Sequence, residues 1–281
     1  MPDPIRLRHT VAQAVAAFRN TPGRRGRIVH LDQPGEVLIA GDLHGNVENF
    51  RRLLEKAQLG THPQRHLILQ ELVHGPFGYP SGGDKSHQLV DLLAALKCQY
   101  PRQVHVLLGN HELAQWTGQA IAKNELELND LFRQGVDTAY GAKAAEIYAA
   151  YLELFAVLPL AVRTRNRVFL CHSLPTAARL DGFDKAVFER ETHEDQELRP
   201  GGAVHALVWG RDTALATVTR FLQIVDADLL ITGHIPCEQG FEVINERQLI
   251  LDCMGAPAGY CLFPLDRPLS QRDLVGCVGL L

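Results

Sequence analysis

The stretch Leu107-Leu108-Gly109-Asn110-His111-Glu112 organises the reading of this 281-residue chain. Residues 104–108 are apolar and β-prone, Gly109 breaks the strand, and Asn110, His111 and Glu112 follow as three polar groups at its exit. In an open α/β sheet, chemistry collects in the loops at the carboxyl ends of the strands. One such exit proves little, but the pattern recurs. Residues 36–40 run into Gly41-Asp42-Leu43-His44-Gly45-Asn46, and residues 66–70 deliver Glu71. Residues 167–170 deliver Cys171-His172-Ser173, and residues 229–232 deliver Gly233-His234.

The segments between these exits alternate strand and helix. Residues 12–18 read as a short helix ended by Asn20 and the Pro22-Gly23 turn. Residues 27–31 and 36–40 read as strands joined by the turn Asp32-Gln33-Pro34-Gly35. Helical periodicity follows over 47–57, and again from Ser86 to Tyr100-Pro101. Between those helices, residues 75–83 hold too many Gly and Pro for regular structure. The order strand, helix, strand, helix, strand predicts a parallel or mixed sheet with right-handed crossovers. Beyond it, residues 124–155 read as two helices broken at Gly135, 160–163 and 167–170 as a hairpin, and 177–200 as a charged, irregular excursion. Residues 213–225 read as a helix, and the strand-rich tail (241–244, 249–251, 260–263, 275–280) as a second sheet packed on the first.

Composition narrows the class. A chain of 281 residues, with no repeat, low-complexity run or linker, is expected to form a single α/β (α+β) domain over 1–281. Hydrophobic residues at 46% and charged residues at 21% are ordinary for a soluble globular protein. A net charge of -4 gives no electrostatic reason to expect a nucleic-acid partner, and Arg24-Arg25-Gly26-Arg27 reads as a solvated turn. No apolar run reaches the roughly 18 residues that span a bilayer, and the N-terminal segment lacks the apolar core of a signal peptide. No membrane partner is expected. The six scattered cysteines read as reduced core thiols of a cytoplasmic protein. The thirteen histidines are the unusual count, several of them just after apolar strands.

Asp42 with His44, Glu71, Asn110 with His111, His172 and His234 are therefore metal-capable side chains at five strand ends. Imidazole, amide oxygen and carboxylate without thiolate suit Mn, Fe or Zn better than Ca. If Glu71 bridges, the set suffices for two cations that activate a water and clamp phosphoryl oxygens, with His111 as general acid.

The motifs Gly41-Asp42-Leu43-His44-Gly45, Gly109-Asn110-His111-Glu112, Cys171-His172-Ser173 and Gly233-His234 resemble the ordered set of calcineurin-like metallophosphoesterases. The strongest likeness is to the phosphoprotein phosphatase branch, with support from Ala94-Ala95-Leu96-Lys97, Val208-Trp209 and Ala256-Pro257-Ala258-Gly259-Tyr260-Cys261. The resemblance implies a central β-sandwich flanked by helices, with a dinuclear metal site at the strand C-terminal ends. It implies Asp42, His44 and a bridging carboxylate at one metal, and that carboxylate with Asn110, His172 and His234 at the other. His111 would be the catalytic acid, Asp42 part of the catalytic centre, and Tyr260 a residue of the substrate cleft.

The chain departs from the family at the motif GDxxDRG, replaced by Gln70-Glu71-Leu72-Val73-His74-Gly75. Glu71 takes the place of the bridging Asp, with Asp84 as its rival beyond a Gly-rich loop; a rigid strand end favours Glu71. The Asp that would orient His111 is gone, and His74, also a candidate at the cleft, is its nearest replacement. A His–His contact would lower the acid's pKa. Two phosphate-binding arginines are missing, one of them replaced by Leu108; Arg211 is the candidate to restore one.

The expectation is a cytoplasmic phosphoesterase using two divalent or transition metal ions. It would hydrolyse a phosphomonoester, either protein phosphoserine/phosphothreonine or a small phosphoester, by attack of a metal-bound hydroxide. The alternatives are a dinucleoside polyphosphate hydrolase, similar to bacterial diadenosine tetraphosphatases, and a metal-binding scaffold with little turnover. The four other strand ends, which retain the full ligand set, argue against the scaffold.

Overall fold

The computed structural model describes residues 3–123 and 126–281. Two large β-sheets face each other, and helices cover their outer sides. In the strand Glu36–Asp42, Val37 and Ile39 point between the sheets while Leu38 and Ala40 point to the helices. Both faces are buried, so the strand reads as a continuous apolar run rather than an alternating one. Ile68, Leu107, Leu170, Ile231, Leu249 and Phe263 complete the layer between the sheets.

The five-stranded sheet has the order Val278–Leu280, Gly259–Pro264, Glu36–Asp42, Arg65–Gln70, Val104–Leu107. Its last three strands are parallel, joined across the helices Val47–Ala57 and His87–Gln99, as the sequence predicts. The side chain of Asn46 caps the first of these helices by accepting from the Asn49 N–H, which is why it starts where the periodicity does. The seven-stranded sheet contains the hairpin Ala161–Thr164 and Val168–Cys171, then Leu229–Thr232 and Gln248–Leu251 parallel to the second of these. One bridge ties the sheets at their chemical edge. Asp42 pairs with Asp252, and the Cys253 N–H donates to the Asp42 carbonyl at 3.1 Å.

Several local expectations are corrected. The first helix is longer than its periodicity suggested, Pro4–Arg19, because Asp3 caps it. The strands Ile28–Leu31 and Glu36–Asp42, joined by the Pro34-Gly35 turn, enter different sheets. Gly135 does not break a helix: it lies inside Leu128–Tyr140, and the break falls at Gly141, before Ala144–Val157. Gly135 serves close approach instead, since a Cβ there would sit 1.8 Å from the Asp84 carbonyl oxygen. The expected helix start at Asn124 lies outside the described residues. The excursion 177–200 holds three single-turn helices, and the helix Ala203–Trp209 after it was not anticipated. The tail strands are shared between both sheets, and Gln271–Val275 is helical. Arg24 and Arg27 are not solvated: the Arg27 side chain is buried and donates to the Leu158 carbonyl at 2.7 Å, while Arg24 reaches the Val157 carbonyl.

Candidate metal and catalytic site

The strand ends converge. Asp42 closes its strand and His44 follows two residues on; Glu71 leaves Arg65–Gln70, and Asn110 opens the helix Asn110–Thr117 after Val104–Leu107. His172 and His234 leave Val168–Cys171 and Leu229–Thr232. The Glu71 Oε2 lies 2.7 Å from His172 Nε2, and Asn110 Oδ1 lies 3.0 Å from the same nitrogen. Donor atoms of Glu71, His172 and His234 all fall within 4.8 Å of one another. Asp42 Oδ1 is 3.7 Å from His172 Nδ1.

The backbone is strained to achieve this. His44, Glu71, His74 and His234 all have left-handed φ (43°, 48°, 62° and 66°), a conformation non-glycine residues avoid and functional sites accumulate. Gly233 makes room for the cluster, since a Cβ there would stand 2.2 Å from Asp42 Oδ1.

The donor set fits divalent metal ions on three counts. First, two of the imidazoles have one nitrogen pinned by the protein, the arrangement that orients a metal-ligating histidine. His44 Nδ1 donates to the Val73 carbonyl at 3.0 Å and His172 Nδ1 to Gln70 Oε1 at 3.1 Å. Gln70 is itself held by its amide hydrogen bond to the Ala40 carbonyl. Second, Asp42 Oδ2 accepts from the His234 N–H at 2.8 Å, but its buried Oδ1 has no donor. Third, burial pushes the carboxyls of Asp42, Glu71 and Glu112 up to about 8, so ionising them at neutral pH calls for cations beside them. Burial also lowers His172 and His234, the latter to about 2.

A family model described as Calcineurin-like phosphoesterase matches residues 35–238. The chain belongs to this family. Calcineurin-like phosphoesterases are metallophosphoesterases, so divalent metal ions are implied here. The chain is 27% identical over 236 residues to a probable serine/threonine-protein phosphatase of Encephalitozoon cuniculi, covering 77% of this chain and 46% of that protein. It is 24% identical over 253 residues to the PP2A-like serine/threonine-protein phosphatase PPG1 of Candida albicans, covering 83% and 54%. The chain thus spans about half the length of the curated relatives it matches. Its fold is similar to a protein serine/threonine phosphatase of Saccharomyces cerevisiae, with a TM-score of 0.67, 17% identity, and coverage of 93% and 82%. It is also similar to a cold-active protein-tyrosine phosphatase of a Shewanella species, with a TM-score of 0.58, 13% identity, and coverage of 83% and 76%.

Within this calcineurin-like phosphoesterase fold, the expected residues do not all meet. Asp84 is turned away: its carboxylate accepts from the Ser86 N–H and Oγ, both at 2.7 Å, which commits it to the start of the following helix. The insertion 75–83 folds back on itself through a Gly78–Asp84 bridge and is tied to the helix Leu128–Tyr140 by the Asp84 N–H to Leu131 carbonyl bond. His74, a candidate for the substrate cleft, is instead buried behind His111, with Nδ1 to Nδ1 at 2.9 Å. Burial and the neighbouring histidines, His44 first and His74 next, hold His111 well below the usual imidazole range. Arg211 reaches the cluster, its Nε donating to His234 Nε2 at 3.1 Å. Tyr260 lies with its ring against Gly279 of the neighbouring strand and packs on the helix-side core. Leu108 is fully buried in that core.

Glu112, the structural neighbour in the opening motif, and Gln70, which had no expected role, support the site. Glu112 Oε1 accepts from the Leu72 and Val73 N–H groups at 2.7 and 3.2 Å and so holds the backbone that carries Glu71. Gln70, the last strand residue before Glu71, sets the His172 tautomer. Its position one residue before a ligand was the available signal.

Proposed function

We propose that this chain is a metal-dependent phosphoesterase that hydrolyses phosphomonoesters, with protein phosphoserine or phosphothreonine as the substrate class. The observation that carries this reading is the convergence of Glu71, His172 and His234 beside Asp42, Asn110 and His111. Asp42, His44 and Glu71 would hold one ion, and Glu71, Asn110, His172 and His234 the other, drawn from Mn, Fe or Zn because the donors are nitrogen and oxygen without thiolate. Two such ions supply Lewis acidity toward phosphoryl oxygen and lower the pKa of a water. Glu71 Oε1 accepts from the His111 backbone N–H at 2.9 Å, which holds the proposed proton donor beside the carboxylate that would serve both ions. His111 would protonate the leaving oxygen from the nitrogen not bonded to His74, a step that takes its imidazolium form. Arg211, whose Nε donates to His234 Nε2 at 3.1 Å, would supply the guanidinium for phosphoryl oxygens, a contact that apolar Leu108 cannot make. The substrate class follows from the likeness to serine/threonine-protein phosphatases. Among the described residues no helix is long and apolar enough to cross a membrane, and all six cysteines are free, as a reducing cytoplasm would keep them.

The test is hydrolysis of p-nitrophenyl phosphate with Mn²⁺, followed by a panel of phosphopeptides against dinucleoside polyphosphates. Two ions per chain and turnover on phosphopeptides are expected. His111→Asn should keep both ions and lose about 10²–10⁴ in kcat. Preference for the dinucleoside polyphosphates would reject the substrate class. One ion per chain and no turnover under any divalent cation would make the chain a metal-binding scaffold.

A further inference from the structure

His111 faces a histidine where a carboxylate acceptor is expected, and an imidazole accepts a hydrogen bond only on the nitrogen that lacks a proton. The His74–His111 contact therefore needs something that decides where the His74 proton sits. Gln115 is that group. It lies four residues beyond His111 on the helix Asn110–Thr117, hence on the same helix face, and it is buried. Its Oε1 stands 2.8 Å from His74 Nε2, and its amide Nε2 donates to the Tyr148 hydroxyl oxygen at 2.6 Å. Tyr148 belongs to the helix Ala144–Val157, and the Arg133 guanidinium lies over its ring, 5.5 Å from the centroid.

We propose that Gln115, oriented by Tyr148, is a positioning residue that keeps the His74 proton on Nε2 and thereby makes His74 Nδ1 the acceptor for His111 Nδ1–H. With the amide NH₂ given to Tyr148, the oxygen turned to His74 can only accept, so His74 Nε2 carries the hydrogen. The lone pair of His74 is then on Nδ1, 2.9 Å from His111 Nδ1, which must donate. The main chain that carries His74 is held in place. The residue sits at a φ of 62°, and its N–H is tied at 3.1 Å to Ser86 Oγ, which in turn donates to Asp84. A carboxylate accepts in any state of its surroundings, whereas a histidine in its place accepts only while its other nitrogen holds the proton. Gln115 and Tyr148 supply that condition. The proposal rests on the reading of His111 as proton donor, but the tautomers are observable without turnover.

The experiment uses the zinc-loaded protein with ¹⁵N-labelled histidine, whose ring tautomers are read from long-range ¹H–¹⁵N spectra and assigned with His74→Asn and His111→Asn. The expected pattern is His74 protonated on Nε2 and His111 on Nδ1. Gln115→Met, which fills the space but accepts nothing, should mix the His74 tautomers; Gln115→Glu, which still accepts, should keep them. On p-nitrophenyl phosphate, Gln115→Met should lower kcat about tenfold, the net worth of roughly one hydrogen bond, with KM changed less than about twofold. Gln115→Glu should recover most of that loss. A native His74 protonated on Nδ1, or tautomers unchanged in Gln115→Met, would overturn the proposal. The expected tautomers in a protein without phosphatase activity would uphold it and reject the activity reading alone.

Discussion

Replacing Glu71 by Gln should stabilise the metal-free protein while it abolishes binding of one metal ion. The Glu71 carboxyl is buried, accepts from the His111 N–H with one oxygen and meets His172 Nε2 with the other. A glutamine keeps both contacts: its oxygen takes the His111 N–H and its NH₂ donates to His172. What it removes is the need to ionise inside the protein. Burial raises the Glu71 carboxyl from its usual 4.5 to about 8. The folded chain therefore keeps this proton between pH 4.5 and about 8 while the unfolded chain has lost it, and the native state loses stability as pH rises across that window. At ~1.36 kcal/mol for each pH unit, the loss is about 2 kcal/mol by pH 6 and saturates near about 5 kcal/mol above pH 8. In EDTA, the advantage of Glu71→Gln should thus grow by about 3 kcal/mol from pH 6 to pH 8.5, or roughly 6–12 °C in Tm. With Mn²⁺ or Zn²⁺ the order reverses, because the wild type gains two ions and the variant at most one. Thermal unfolding with and without EDTA at the two pH values, with metal counted by calorimetry, measures both effects. A variant that binds two ions, or whose metal-free advantage is negative or flat with pH, refutes the reasoning.

Two further substitutions separate the site from its support. Gln70→Leu removes the acceptor that holds His172 Nδ1–H, and should weaken metal binding by about 10–100-fold in a calorimetric titration; unchanged affinity would remove Gln70 from the site. Gly135→Ala drives a methyl into the Asp84 carbonyl, and should cost about 1–3 kcal/mol and lower Tm by several degrees while two metal ions still bind. An unchanged Tm would show that the close approach relaxes freely.

Local pattern determined much of this protein. An apolar run that ends in a polar exit is a feature of consecutive residues, so the strands leading to Asp42, Glu71, Asn110, His172 and His234 could be read from the chain alone. The helix Val47–Ala57 could also be read, with its bounds, because its amphipathic period and its Asn46 cap are both local. Tertiary structure decided what lies opposite each exit. The pairing of Glu112 with the Leu72–Val73 backbone, of Gln70 with His172, and of His74 with His111 and Gln115 joins residues between 37 and 102 positions apart. Periodicity says which face a side chain takes, but not which distant side chain shares that face. Gly135 differs for the same reason: inside a helix it resembles a break, and only the close approach of the Asp84 backbone shows that the missing Cβ makes room. The sequence by itself settled which residues stand at the strand ends, since that depends on neighbours in the chain. The packing of two sheets and their helices settled which nitrogen of each histidine faces the cluster, since that depends on partners brought together only by folding.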